Sequence, residues 1–268
     1  MSGKGIYAAV SGAMAQSSRL DTIANNLANV NTTAFKKDRQ VFSEYLSAYE
    51  KPNDVIQVPR VPASIESFYD MQGGDTAYVN PAGTYTNFSQ GLLKATGSPF
   101  DVAIEGRGFL EVLTPQGLRW TRNGALQVDG EGRLVTKEGH PVLRSGQNDP
   151  AQRMIQLASR NVTISHAGDV YDGGNQVGRI SVVDFAENDA LQKVGNSYYS
   201  LKENFGEEAP IAAAESRIHQ GFIEGSNVNV VEEMTDMITA NRVFEATQQA
   251  IKAHDQMDDK LINQAAKV

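Results

Sequence analysis

The feature that most limits how this chain can fold is a seven-residue repeat at its start. Ile6, Ala13, Leu20 and Leu27 lie seven apart, and Val10, Ser17 and Ala24 form a second series offset by four. These are the a and d positions of a helix seam, so residues 5–30 are expected to form a helix that packs against another. Ile23 and Val30 widen the stripe. The seam is built mostly of small side chains, which permit close approach but bury little area. Because a lone helix is marginal in water, this one needs partners.

The end of the chain carries a second stripe. Val230, Met234, Met237, Phe244, Ile251 and Leu261 recur near helical spacing, and neither Gly nor Pro occurs after Val228. Asn229 is placed to cap the helix, with Glu232 three residues on and Glu233 beside it. A helix of more than 30 residues, roughly 50 Å long, is expected here. Asn241, Gln248, Asp255 and Asp258 interrupt its stripe, so it too reads as a helix that packs in an assembly.

The middle changes texture. From Asp101 onward, short alternating runs are separated by glycine turns. Examples are Asp101–Glu105, Phe109–Leu113 and Leu118–Arg122, with Asn123-Gly124 expected to close a hairpin onto Ala125–Val128. Such spacing suggests an antiparallel sandwich or barrel. Residues 36–95 contain Pro52, Pro59 and Pro62 and the turn signal Gly73-Gly74, and are expected to form an extended, β-rich arm.

The expected fold class is therefore α+β. Long N- and C-terminal helices pack together as a coiled-coil-like terminal domain, with the β-rich arm and an antiparallel β domain between them. The expected divisions are 1–35 (N-terminal helix), 36–95 (arm), 96–225 (β domain) and 226–268 (C-terminal helix). The residues expected to pack or assemble the helices are Ile6, Val10, Ala13, Leu20, Leu27, Met234, Met237, Phe244, Ile251 and Leu261.

Composition removes several function classes. The 268 residues carry a formal net charge of −8, which lacks the basic footprint of a nucleic-acid binder. The chain has no cysteine, so disulfides, thiolate metal sites and cysteine nucleophiles are excluded together. No apolar run approaches the roughly 18–20 residues of a membrane-spanning helix. Ala13-Met14-Ala15 has the look of a signal-peptidase site, but Ser11 and Gly12 interrupt the apolar stretch and the helical spacing runs straight through it, so cleavage is not expected.

The chemistry of sites is equally spare. His140, His166, His219 and His254 show no metal-ligand spacing. Gly106-Arg107-Gly108 lacks the third glycine of a phosphate loop and reads as a turn. Asp129-Gly130-Glu131 lacks the remaining ligands of a calcium loop, and Asp169, Asp172 and Gly173-Gly174-Asn175 read better as a turn than as a weak cation site. Asp255, Asp258 and Asp259 read as a solvated or subunit-facing patch. No catalytic residue, cofactor or metal is expected, and the chain is not read as an enzyme.

Three motifs carry a resemblance. Ala24-Asn25-Asn26-Leu27-Ala28-Asn29-Val30-Asn31-Thr32-Thr33-Ala34-Phe35-Lys36 resembles the N-terminal signature of flagellar rod and hook proteins, with Ala34 where that family usually has glycine. Asp101-Val102-Ala103-Ile104-Glu105-Gly106-Arg107-Gly108-Phe109 resembles its central motif, followed by Trp120 in place of a usual tyrosine and then Thr121-Arg122-Asn123-Gly124. Glu224-Gly225-Ser226-Asn227-Val228-Asn229-Val230-Val231, running on to Met237-Ile238, resembles its C-terminal signature.

The resemblance implies a structural subunit of the bacterial flagellar basal-body rod, exported unfolded through the flagellar type III apparatus without a cleaved signal. It implies self-association and contact with other rod and hook-basal-body subunits, in the periplasmic space. The form of the third motif looks more like a proximal rod subunit, while the long Lys36–Gly91 arm would suit a distal one; the proximal position is expected. The reading of another class is a secreted β-domain binding module or adhesin. Asn25, Asn26, Asn29, Phe35, Asn227 and Asn229 lie where helix meets loop. The asparagines are expected to lock the helix ends and set the angle between helical and β domains, since Asn side chains readily bond nearby backbone.

Overall fold

The computed structural model describes residues 4–47, 76–146, 149–159, 161–202, 210–213 and 216–265. Much of the expected arm, including Pro52, Pro59, Pro62 and Gly73-Gly74, lies outside them.

Two α-helices occur among the described residues, α1 (Lys4–Ala28) and α2 (Val230–Ala265). The first turn of α2 is held as its sequence demands: Asn229 Oδ1 accepts the Val231 N–H at 3.1 Å, and its carbonyl accepts the Glu233 N–H at 3.0 Å. Glu232 and Glu233 sit at the positive end of the helix dipole. No helix in the described residues is long and apolar enough to cross a membrane.

Between the helices the described residues form seventeen strands: β1 (Asp38–Ser47), β2 (Thr76–Thr86), β3 (Leu93–Ala95), β4 (Val102–Glu105), β5 (Phe109–Thr114), β6 (Gly117–Thr121), β7 (Leu126–Val128), β8 (Leu134–Thr136), β9 (Val162–Ile164), β10 (Asp169–Asp172), β11 (Asn175–Arg179), β12 (Val182–Asp184), β13 (Leu191–Gly195), β14 (Tyr198–Leu201), β15 (Ile211–Ala212), β16 (Arg217–Gln220) and β17 (Phe222–Glu224). The chain divides into two compact units. One comprises Asn25–Asp38 with Tyr85–Glu233, and the other Met1–Ala24, Arg39–Thr84 and Met234–Val268.

The first unit is a β body. A six-stranded sheet in the order β13-β14-β6-β5-β12-β15 is joined by a three-stranded sheet β11-β10-β9 and the pairs β16-β4, β17-β3 and β7-β8. Successive side chains of a strand face opposite sides, and β5 is covered on both. Leu110 and Val112 enter a core with Val102, Ile104, Leu134, Val142, Ile155 and Ile180, while Phe109 enters a second with Trp120, Val183, Phe185, Leu191 and Tyr199. In the second core, Trp120 meets Phe185 edge-on at 5.1 Å and Phe109 meets Tyr199 at 5.4 Å between ring centroids.

The Asn123-Gly124 hairpin does not form. β6 pairs with β5 and β7 with β8. The dipeptide instead crosses between sheets, with the Val102 N–H donating to the Gly124 carbonyl at 2.9 Å. A Cβ on Gly124 would lie 1.7 Å from the Val102 carbonyl oxygen, so glycine is required there for close backbone approach.

The second unit holds most of both helices and of the two-stranded ribbon β1-β2. Here the expected fold class needs correction. The described residues form two helices and a β-rich body, but the helices do not make a coiled-coil-like terminal domain. Among the described side chains, the buried apolar ones are Ala15 and Ile23 in α1 and Ala240 in α2, and past Ala240 none in α2 is buried. Val10 and Met234, both assigned to the seam, are exposed. The physical reason is visible in the seam itself: small and polar-interrupted, it has too little apolar area to cover the length of either helix.

Candidate functional site

Of the residues expected at the helix-to-body junction, Asn26, Asn227 and Phe35 gather around residues 35–38, while Asn29 and Asn229 bond at their own helix ends. Asn26, buried in the last turn of α1, donates through Nδ2 to the Asp38 carbonyl at 2.8 Å and to Glu233 Oε2 at 3.2 Å, while its Oδ1 accepts the Asp38 N–H at 2.9 Å. A single side chain thus satisfies both backbone groups of Asp38 and reaches the first turn of α2. Asn227 works from the other side. Its Oδ1 accepts the Lys37 N–H at 2.7 Å, and its Nδ2 donates to the carbonyls of Asn87 and Ser89 at 2.8 and 3.1 Å. Asn29 closes the end of α1 on itself, donating through Nδ2 to the Asn25 carbonyl at 2.9 Å; Asn25 is exposed. Asn229 caps α2, as above. The Phe35 ring lies 4.3 Å beneath the Lys193 ammonium, whose Nζ also donates to Asp38 Oδ2 at 2.8 Å. Burial holds the Lys193 pKa below the usual lysine range.

Ala34, where a glycine was expected, adopts φ +56° and is fully buried, its N–H donating to the Glu224 carbonyl at 2.8 Å. That left-handed conformation is the reason a glycine suits the position.

Beneath the asparagines lies a group of charges that sequence reasoning did not pair. Lys36 and Glu224 are fully buried, with Nζ donating to Glu224 Oε1 at 2.6 Å and to the Ser89 carbonyl at 2.7 Å. The Gly91 N–H donates to the same Oε1 at 2.8 Å. Arg122 brings Nε to 3.1 Å from Glu224 Oε2, a charge contact in which neither atom is aligned for a hydrogen bond, and donates through Nη2 to the Gly106 carbonyl. Two cations therefore surround one carboxylate in a dry site. Burial, opposed by the Glu224 charge and reinforced by Arg122, pushes the Lys36 pKa down to about 8. Beside the group, Lys37 lies 3.4 Å from Glu232 and 3.6 Å from Glu233. The charged residues of the group sit within the quoted motifs or next to them, whereas Ser89 and Gly91 lie outside them; the charges were visible, but not the pairing.

The helix residues are placed differently. Ala13, Leu20, Leu27, Met237, Phe244 and Ile251 are half-buried, Val10 and Met234 are exposed, and the side chains of Ile6 and Leu261 lie outside those described. Tyr7, Val10 and Met14 form one outward apolar stripe on α1, and Val231, Met234 and Ile238 another on α2.

Elsewhere the candidate chemistry is taken up by the fold. The Asp129 carboxylate accepts the N–H groups of Glu131 and Arg133 and the Arg133 Nε, which hold its pKa low. Asp172 accepts from the N–H groups of Ala158 and Ser159. His166 and His219, distant in sequence, lie 5.1 Å apart with Glu105 Oε2 2.7 Å from His219 Nε2. Among the described residues no group of three His, Cys, Asp or Glu side chains is placed to hold a metal ion.

The comparisons fall on this same geometry. Residues 6–36 match the family model described as flagella basal body rod protein, 103–172 the flagellar hook protein FlgE/F/G D1 domain, and 219–264 the flagellar basal body rod FlgEFG protein C-terminal region. The flagellar basal-body rod protein FlgG of Borreliella burgdorferi is 34% identical over 260 residues, covering 95% of this chain and 96% of the relative. The FlgG of Bacillus subtilis is 31% identical over 271 residues, covering 97% and 98%. The rod protein FlgF of Caulobacter vibrioides is 34% identical over 242 residues, covering 90% and 89%. The chain belongs to the flagellar basal-body rod protein family. Each of the three matched segments of this rod protein contributes to the buried charge group: Lys36 from the first, Arg122 from the second and Glu224 from the third. FlgG and FlgF relatives match at similar identity, so membership is fixed without a choice between the proximal and distal positions, and none of these relatives favours a secreted binding module.

Proposed function

We propose that this structural rod subunit assembles with copies of itself and with other basal-body subunits through the outward faces of α1 and α2, and works mechanically, with no chemistry at any one site. The observation that supports this reading is the pair of exposed apolar stripes. Tyr7 is 67% and Met14 66% exposed on α1, and Val231 is 73% and Ile238 56% exposed on α2. Apolar residues at spacings of three and four on an exposed helix face are a seam for another helix. Placement of the rod in the periplasmic space, and delivery through the flagellar export apparatus without a cleaved signal, follow from the same reading.

The test is to place a charge on each stripe. Met14→Glu and Ile238→Glu leave the β body untouched, so both proteins fold as monomers with a native Trp120 fluorescence spectrum, but fail to restore rods and swimming to a strain lacking the gene. Normal rods in both variants refute the proposal. Mass spectrometry of purified basal bodies checks location independently: the chain is expected there with residues 1–15 intact.

A further inference from the structure

The junction residues fall into two groups by chain position. Asn25–Ala28 form the last turn of α1 and Val230–Glu233 the first turn of α2; these are the helix roots. Residues 34–38 leave the first root and residues 224–229 lead into the second. The two stretches are bonded to each other by Ala34 N–H to the Glu224 carbonyl at 2.8 Å, Asn227 N–H to the Phe35 carbonyl at 3.3 Å and Lys37 N–H to Asn227 Oδ1 at 2.7 Å. Lys36 and Glu224 are 188 residues apart in sequence, and Asn26 and Glu233 are 207 apart. Asn26 and Lys37 add bonds between the roots themselves, to Glu233 and Glu232, and the β body adds Arg122 after β6, the Asn87 and Ser89 backbone and Gly91 N–H after β2, and Lys193 in β13.

We propose that the Lys36–Glu224–Arg122 group is a folding-order latch, which joins the two helix roots only on a finished β body. The inference rests on the reading that the helices are the assembling elements, for which it supplies a regulation. A buried carboxylate between two cations is satisfied only when all its partners are in place, and a buried polar group left half-satisfied is worse than none. Until β4–β6 and the loop after β2 are formed, Glu224 has neither Arg122 nor Gly91, and Lys36 has no carbonyl from Ser89. The stretches carrying the roots then have no dry site to enter. Root closure is therefore the last step of folding of the monomer, and the roots open whenever the body does.

Amide hydrogen exchange on the monomeric full chain tests this. The reporters at the roots are the amides of Ala34, Lys37, Asp38 and Asn227; those in the body are Leu134 and Val142, which donate to the carbonyls of Ile155 and Leu134. Ile155→Val loosens the core by roughly 3–10-fold in protection. In the otherwise unchanged chain the latch predicts the same fall at the roots as in the body. Lys36→Met keeps the Arg122–Glu224 pair, so the body remains protected within about 3-fold, while root protection falls at least about 10-fold and no longer responds to Ile155→Val. Roots that keep their protection in Lys36→Met, or that ignore Ile155→Val in the unmodified chain, overturn the latch. Because the measurement is made on monomers, it is independent of the assembly reading, which stands or falls on the Met14→Glu and Ile238→Glu rods.

Discussion

Removing either partner of the Lys36–Glu224 pair should have very unequal effects. The site holds two cations and one anion, so Lys36 is the surplus charge. Its pKa, pushed down to about 8 from an ordinary value near 10.4, means that holding the charged form in the fold costs about 3 kcal/mol at ~1.4 kcal/mol per unit. Lys36→Met relieves that cost. It strands nothing, because the Ser89 carbonyl still accepts from Asn227 Nδ2 at 3.1 Å and Glu224 Oε1 still accepts the Gly91 N–H. For the β body, which Trp120 reports, a net change within about 1 kcal/mol is expected, the lost ion pair offsetting the relieved burial; the loss at the helix roots is local and is read by amide exchange. Glu224→Gln does the opposite. It removes the one anion and leaves Lys36 and Arg122 facing each other in a dry site, a loss of about 3–5 kcal/mol. In the double variant only part of that loss returns: the repulsion from Lys36 is gone, but Arg122 stays a buried cation with the Gly106 carbonyl as acceptor and no carboxylate beside it. The assay is urea unfolding followed by the fluorescence of the single tryptophan, Trp120, which lies in the second core. Equal destabilisation by Lys36→Met and Glu224→Gln would refute the charge count.

The same group gives a pH dependence. The folded-state pKa of Lys36 lies below its unfolded value, so its cost is fully present below about pH 8 and is relieved as pH rises toward the unfolded value; the stability of the unmodified chain relative to Lys36→Met should rise between about pH 8 and pH 10. Tyr198 and Tyr199, whose pKa values burial raises, lower the stability of both chains alike above about pH 10, where the unfolded tyrosines begin to ionise, and the difference levels off as the unfolded lysine deprotonates. Asn26→Ala leaves both backbone groups of Asp38 without their side-chain partner and should cost about 2–4 kcal/mol, against about 1 kcal/mol for the exposed cap Asn229→Ala, read by the same urea titration. Ala34→Val, which forces a β-branched residue to φ +56° in a fully buried position, should cost at least about 2 kcal/mol, while Ala34→Gly stays within about 1 kcal/mol because relief of strain is offset by lost burial and by freedom in the unfolded chain.

What could be read from the sequence follows from the range of the forces involved. Helix α2 was legible because its signals are local: no Gly or Pro, a cap at Asn229 and acidic residues in the first turn. The strand β5 was legible because alternation is local too. The coiled coil was misread for a related reason. Spacing reveals which residues share a face, but not whether that face carries enough apolar area to be covered, and Val10 and Met234 remain exposed. Asn123-Gly124 misled in another way, since its turn preference is local while its use is set by the Val102 carbonyl 1.7 Å from where a Cβ would stand. The asparagines Asn26 and Asn227 could be placed at the junction from the motifs alone, but their partners could not. Lys36, Arg122 and Glu224 were present in the same motifs as unremarkable charges. Nothing in the spacing of residues so far apart says that they share a site, and an isolated lysine or glutamate reads as solvated surface by default. Their burial becomes expected only once three separate segments are known to converge, because a charge enclosed by converging backbone must find its counter-ion there. A motif that ends in a lysine just past a left-handed turn residue, as Lys36 follows Ala34 and Phe35, is therefore better read as one half of a buried pair than as the solvated end of a loop.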